Sequence, residues 1–224
     1  MMSTFLTPRA KVLLSIAIVA FPGASLVAQS RLTVQAGYST ARMVNGNGTS
    51  SRILPTRHGF VPGVAYTVRL SDRVGISVGA RYVHKGTVAT VTEPNVSDQG
   101  SRYDLDIHIA EVPMFVTARY PLLQAQLVVE GGATLGLRAR CIARTISADG
   151  SLSENDCVHT DNGVIVPATD LALTGGFGVA WHRLSLIGEY EFTGRTIQGV
   201  GPIAQLQHRT LLLMAGFDLI APTP

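Results

Sequence analysis

The feature that most constrains this chain is an alternation of apolar with small or polar residues, recurring in eight separate segments after residue 29. Alternation with a period of two puts one class of side chain on each face of an extended strand. Leu32, Val34, Ala36 and Tyr38 alternate with Thr33, Gln35, Gly37 and Ser39. Val64 to Leu70 and Val74 to Tyr82 repeat the pattern, the second opposing Gly75, Ser77, Gly79 and Arg81. Leu127 to Leu137, Leu171 to Trp181, Leu184 to Phe192 and Leu211 to Leu219 continue it. No segment carries a helical period of useful length.

The fourth segment is longer and changes parity. Tyr103, Leu105, Ile107 and Ile109 share one face opposite Asp104, Asp106 and His108, whereas Val112, Met114, Val116, Ala118 and Tyr120 occupy even positions. Glu111 and Pro113 stand at the switch. Proline cannot donate to a ladder, and one extra residue would restore the facing, so a β-bulge is predicted there. The connections alternate as well. Ser71-Asp72-Arg73, Pro121 to Gln124 and His182-Arg183 are tight, whereas 42–58, 86–101, 141–168 and 194–207 are long and polar. All long connections therefore fall at one end of the sheet, as in outer-membrane barrels. The predicted fold is all-β, an eight-stranded antiparallel up-and-down transmembrane β-barrel.

The faces decide the solvent. A soluble lipocalin-like barrel, the natural competitor, keeps apolar groups inside and charges outside. Here the strongly apolar face of all eight segments carries no charged residue. Facing hydrocarbon, an ionised group costs about 2–4 kcal/mol near the midplane, so this face is the one expected to meet lipid. Arg81, Asp104, Asp106, Glu130, Arg138, Glu189 and Glu191 then form an interior charge network. Within it Arg81 is expected to pair with Asp104 or Asp106, and Arg138 with Glu189 or Glu191 across the lumen. Eight strands leave room only for side chains, so the interior is expected to be plugged rather than a pore. Tyr38, Phe60, Tyr82, Tyr103 and Phe192 near one rim, with Tyr120 and Trp181 near the other, suggest two sparse aromatic girdles.

The chain has 224 residues, enough for one domain, and only 15% of them are charged. Its arginines are scattered singly, and no basic run interleaves with aromatics, so no nucleic-acid partner is expected. Residues 1–28 read as a signal peptide. Arg9 and Lys11 precede the apolar stretch Val12 to Phe21, Pro22-Gly23 break it, and Leu26-Val27-Ala28 ends on a small residue. That stretch is roughly ten residues, too short to span a bilayer core of about 30 Å as a helix. The barrel is expected over 29–220, with a tail over 221–224. Cys141 and Cys157, the two cysteines of the chain, are expected to pair in the oxidising compartment beyond the inner membrane. His159 lies close by, but two thiols and one histidine fall short of a metal site.

Residues 103–120 resemble the middle strand of the porin-like outer-membrane β-barrel domain family (PorT type). The resemblance rests on the Glu111-Val112-Pro113 step, the apolar run after it and the Arg119-Tyr120 end. Leu184 to Phe192 and Leu211 to Leu219 are similar to that family's last two strands. Such chains usually finish on an aromatic residue, whereas this one runs on through Ile220-Ala221-Pro222-Thr223-Pro224. The resemblance implies a location in the bacterial outer membrane and brings no common catalytic residues.

No catalytic constellation, metal site or cofactor is expected. A lipid-modifying hydrolase, the enzymatic alternative, needs serine, histidine and acid at the outer rim. His84 and His208 are candidates for the histidine and Ser101 for a distant serine, while His182 and Ser185 straddle a turn at the other end. Gly175-Gly176-Phe177-Gly178 sits within a strand, so no helix follows it to hold a phosphate. Its glycines are expected to relieve crowding inside a narrow barrel. The expected role is structural, adhesive or surface-binding, with outer-membrane lipid around the barrel and an extracellular partner at loop 141–168.

Overall fold

The computed structural model describes residues 30–45, 56–90, 99–157, 166–197 and 206–220. Among them the chain forms nine strands: β1 (Ser30–Asn45), β2 (Arg57–Arg69), β3 (Val74–Thr90), β4 (Arg102–Leu122), β5 (Ala125–Ile146), β6 (Leu152–Asp156), β7 (Thr169–Trp181), β8 (Leu184–Ile197) and β9 (Leu206–Ile220). The predicted signal peptide, the tail 221–224 and His159 lie outside the described residues.

Eight of these strands close a ring. Each of β1, β2, β3, β4, β5, β7, β8 and β9 pairs antiparallel with the next, and β9 returns to β1. The closing seam runs for fourteen residue pairs, from Leu32 opposite Ile220 to Asn45 opposite Leu206. The fold is thus an all-β, antiparallel up-and-down barrel of eight strands. The remaining strand, β6, pairs with β5 from Ile142 to Ile146 and stands above the ring. β7 occupies that edge of β5 only as far as Leu137, which leaves the upper edge free for β6.

Three short turns share an end with Ser30 and Ile220. Two of them, Leu123-Gln124 and His182-Arg183, have a first residue in the left-handed region (φ 54° and 52°). Two-residue hairpins need that backbone because it matches the twist of the flanking strands. The third closes through Leu70 N–H donating to Val74 O at 2.8 Å. Strands outrun the predicted segments at the opposite end: β3 continues to Thr90, β5 to Ile146 and β8 to Ile197. Backbone pairing there continues in sequence whose apolar period has faded. The stretch 141–168, expected as a loop, accordingly contains the end of β5 and all of β6.

Burial follows the alternation. On β9, Leu211, Leu213, Phe217 and Leu219 point outward while Leu212, Met214 and Asp218 are buried. The outward face is apolar around the ring, with Phe177 71% and Leu173 67% exposed on β7, and Val116 58% exposed on β4. The inward face buries Arg81, Lys85, Glu111, Glu189 and Glu191 among threonines and serines. Val74 to Tyr82 and Ala110 to Tyr120 each carry about the 9–11 residues that span a hydrocarbon core as a tilted strand, and they define a belt on the outer wall.

Above the belt this distribution inverts. Leu105, Ile107 and Ile109 turn inward and pack with Cys141, Cys157 and Val166 in a small apolar core. The parity change in β4 therefore needs no bulge at Glu111 and Pro113. β4 keeps one register against β3 on both sides of that point, with Met114 opposite Val78 and Glu111 opposite Arg81. What changes is the surroundings, from a polar interior within the belt to an apolar one above it. The extra residue sits in β5 instead: Ile109 faces Arg138 and His108 faces Arg140, which leaves Ala139 unpaired between them. That bulge turns Cys141 inward.

Candidate functional site

Two groups of polar side chains stand out, one inside the belt and one above it. Inside, Arg81 on β3 holds three carboxylates. Its Nε donates to Glu111 Oε2 at 2.7 Å, and its two terminal nitrogens reach Glu189 Oε2 at 2.5 Å and Glu191 Oε2 at 3.3 Å. Lys85, two inward positions further along β3, donates to Glu191 Oε1. It also lies 2.7 Å from Glu111 Oε1, an ion pair that falls outside hydrogen-bond alignment. All five side chains are at most 3% exposed. β8 supplies Glu189 and Glu191 from across the barrel, so these pairs tie opposite walls together. Gly176 makes room for the cluster, since a Cβ there would lie 3.0 Å from Glu189 Cγ and 3.1 Å from Glu130 Oε1.

The structure brings together part of the predicted network, in pairings other than those expected. Arg81, Glu189 and Glu191 do meet. Asp104 and Asp106 do not join them, because even positions of β4 face outward. Asp104 accepts from Arg57 at 2.5 Å instead. Arg138 donates to the Val166 carbonyl rather than to Glu189 or Glu191. Glu130 lies beside Gly176. Lys85 and Glu111 complete the cluster beyond the residues expected from the sequence, and Lys85 shares the parity of Arg81, a signal the sequence offers.

The second group lies on the outer wall where β3 and β4 rise above the belt. Pairing sets His84 directly opposite His108, and Asp106 precedes His108 by two residues on the same face of β4. The two imidazole rings stack at 4.6 Å with planes only 6° apart. His84 Nε2 lies 2.5 Å from Asp106 Oδ1, and His108 Nε2 lies 3.2 Å from the same oxygen. Tyr82 Oη is 2.6 Å from His108 Nδ1. Arg57 reaches Asp106 Oδ2 at 3.7 Å by crossing β3 at Gly86.

Burial pushes the Asp106 carboxyl up, but the hydrogen bond from His84 and the charges of Arg57, His84 and His108 outweigh it and hold it below the usual value. Burial lowers His108, Asp106 offsets part of that, and the positive charges of His84, Arg140 and Arg57 add to it. The triplet His84, Asp106 and His108 has donor atoms that all lie within 4.8 Å of one another.

The other predicted positions divide cleanly. Cys141 and Cys157 are bonded, with Cα atoms 5.5 Å apart. Tyr38, Phe60, Tyr82, Tyr120, Trp181 and Phe192 project from the outer wall. Tyr103 is the exception, because it shares the inward register of Leu105 and Ile107. Of the residues considered for hydrolysis, His208 and Ser101 are buried and His84 is engaged by Asp106 and His108.

No family model and no curated protein matches the chain. Solved structures similar to it include Ail, the attachment invasion locus protein of Yersinia pestis, crystallised with the heparin analogue sucrose octasulfate. Ail is 13% identical, with 85% of this chain and 99% of that one covered and a TM-score of 0.44. Neisserial surface protein A is 15% identical over 83% of this chain and 96% of that one, with a TM-score of 0.41. The N-terminal β-barrel domain of Pseudomonas aeruginosa OprF is 11% identical over 85% and 100%, with a TM-score of 0.32. The class defined by topology and burial is a closed eight-stranded barrel with an apolar outer belt and an ionic interior.

Proposed function

We propose that this protein is a small barrel of the bacterial outer membrane, surrounded by lipid and acting at the cell surface through its long-connection end. The observation that carries the reading is the belt itself. Large apolar side chains encircle the wall while Arg81, Glu111, Glu189 and Glu191 are buried inside. Monomeric soluble proteins rarely expose contiguous apolar patches beyond a few hundred Å². A lipocalin-like periplasmic barrel would carry the opposite distribution. The resemblance of Glu111-Val112-Pro113 and Arg119-Tyr120 to the porin-like (PorT type) family is part of this proposal.

The role is structural or adhesive. Arg81, Lys85 and their three carboxylates fill the middle of the lumen, which favours a closed interior over a conducting one. A partner would meet the hairpin of β5 and β6, fastened at its base by Cys141–Cys157. Membrane fractions of expressing cells test the location. Detergent should be needed for extraction, and unboiled protein should migrate differently from boiled protein on a gel. Extraction by salt or alkali alone would sink the outer-membrane reading. For the surface role, binding of labelled protein to host-cell or matrix surfaces should fall when residues 147–151 are replaced by a Gly-Ser linker.

A further inference from the structure

We propose that His84, Asp106 and His108 form a binding site for a divalent metal ion of the zinc class, on the outer wall above the apolar belt. Nothing in this inference depends on which partner or membrane the barrel meets. Two imidazoles and a carboxylate suit Zn²⁺, Ni²⁺ or Cu²⁺, whereas Ca²⁺ and Mg²⁺ want oxygen ligands throughout.

The geometry is close to what such an ion needs. Ligand atoms about 2.0–2.2 Å from a tetrahedral zinc lie roughly 3.3–3.5 Å from one another. The two nitrogens already stand 2.5 and 3.2 Å from Asp106 Oδ1, so small side-chain rotations would open the triangle around an ion. The near-parallel stacking of the rings aims both Nε2 atoms at that one oxygen. Cross-strand pairing fixes the backbones beneath, because His84 and His108 are direct partners.

The surroundings also match. Ligating histidines usually donate their second ring N–H to an acceptor, which fixes the tautomer. Tyr82 Oη, at 2.6 Å from His108 Nδ1, is placed to accept it, leaving Nε2 free for the ion. Arg57 and Arg140 are the nearby cations that would oppose binding; Asp104 accepts from Arg57 at 2.5 Å and balances its charge. The three side chains are 15–24% exposed. An ion therefore has access, and one coordination position stays open to water as in non-structural zinc sites.

The test uses untagged full-length protein in detergent micelles, stripped with chelator and titrated with Zn²⁺ alone by calorimetry. The expected result is one site of micromolar affinity. His84→Ala and His108→Ala should each weaken it at least tenfold, and Tyr82→Phe by about tenfold. His58→Ala should leave it unchanged, because His58 engages Thr40 and Tyr38 instead. Far-UV circular dichroism confirms the barrel in each variant, and His108→Gln replaces any variant that fails to fold. Absorption of the Co²⁺ form should show intense tetrahedral d–d bands that the His84→Ala, His108→Ala double variant lacks. Wild-type protein binding no more Zn²⁺ than that double variant would overturn the proposal, as would unchanged affinity in the single variants.

Discussion

Arg81 carries three buried carboxylates at once, so its removal strands charge on both walls of the barrel. Removing one partner of a buried ion pair costs about 3–5 kcal/mol, since the remaining charge is left without compensation. Arg81→Ala is expected to lose about that much, read from urea unfolding in lipid vesicles. Arg81→Lys should recover only part of it, because one ammonium cannot reproduce a planar fork aimed at several carboxylates. Gly86 makes a different demand. Its φ of +147° suits glycine, and a Cβ there would sit 2.0 Å from Leu105 O. Gly86→Ala should destabilise by about 1–3 kcal/mol through strain alone. The same change would displace Arg57, whose Cδ lies over the glycine. A melting temperature within a degree of wild type would contradict both points.

At the scale of elements, the hairpin of β5 and β6 is the part most separable from the rest. It leans on the ring through the upper ladder of β5 with β4 and through Cys141–Cys157. A disulfide closing a loop of about 15 residues contributes roughly 3 kcal/mol in the chain-entropy model. Reduction, or Cys141→Ser with Cys157→Ser, should expose residues 147–156 to limited proteolysis while the ring below stays resistant. Simultaneous digestion of β7 to β9 would mean that hairpin and ring unfold as one. The belt portions of these strands are legible in the sequence because outward and lumen-facing positions differ so sharply in chemistry. Above the belt His84, Asp106 and His108 stand on the outer face and an apolar core fills the inner one, so the same alternation continues with its meaning reversed. For that reason Leu105, Ile107 and Ile109 look like a change of register in the sequence. The pairing of His84 with His108 was not legible at all, because it depends on a cross-strand register and not on spacing along either strand.

For the molecule as a whole, the decisive test is a charge placed on the belt. Val116 sits mid-belt on β4 and is 58% exposed. Val116→Arg should cost about 2–4 kcal/mol if hydrocarbon surrounds the wall, measured by reversible unfolding in vesicles. In water the same exposed substitution would cost almost nothing. The seam between β1 and β9 carries a further consequence. It joins positions nearly the whole chain apart, from Leu32 with Ile220 to Asn45 with Leu206. No portion of the chain short of β9 can close, so a nascent or truncated barrel is a curled sheet with two bare margins, each able to recruit a neighbour's strand. Closure of this ring is therefore committed by β9, the last of the described strands, and every intermediate that precedes its docking is open to pairing with a sibling.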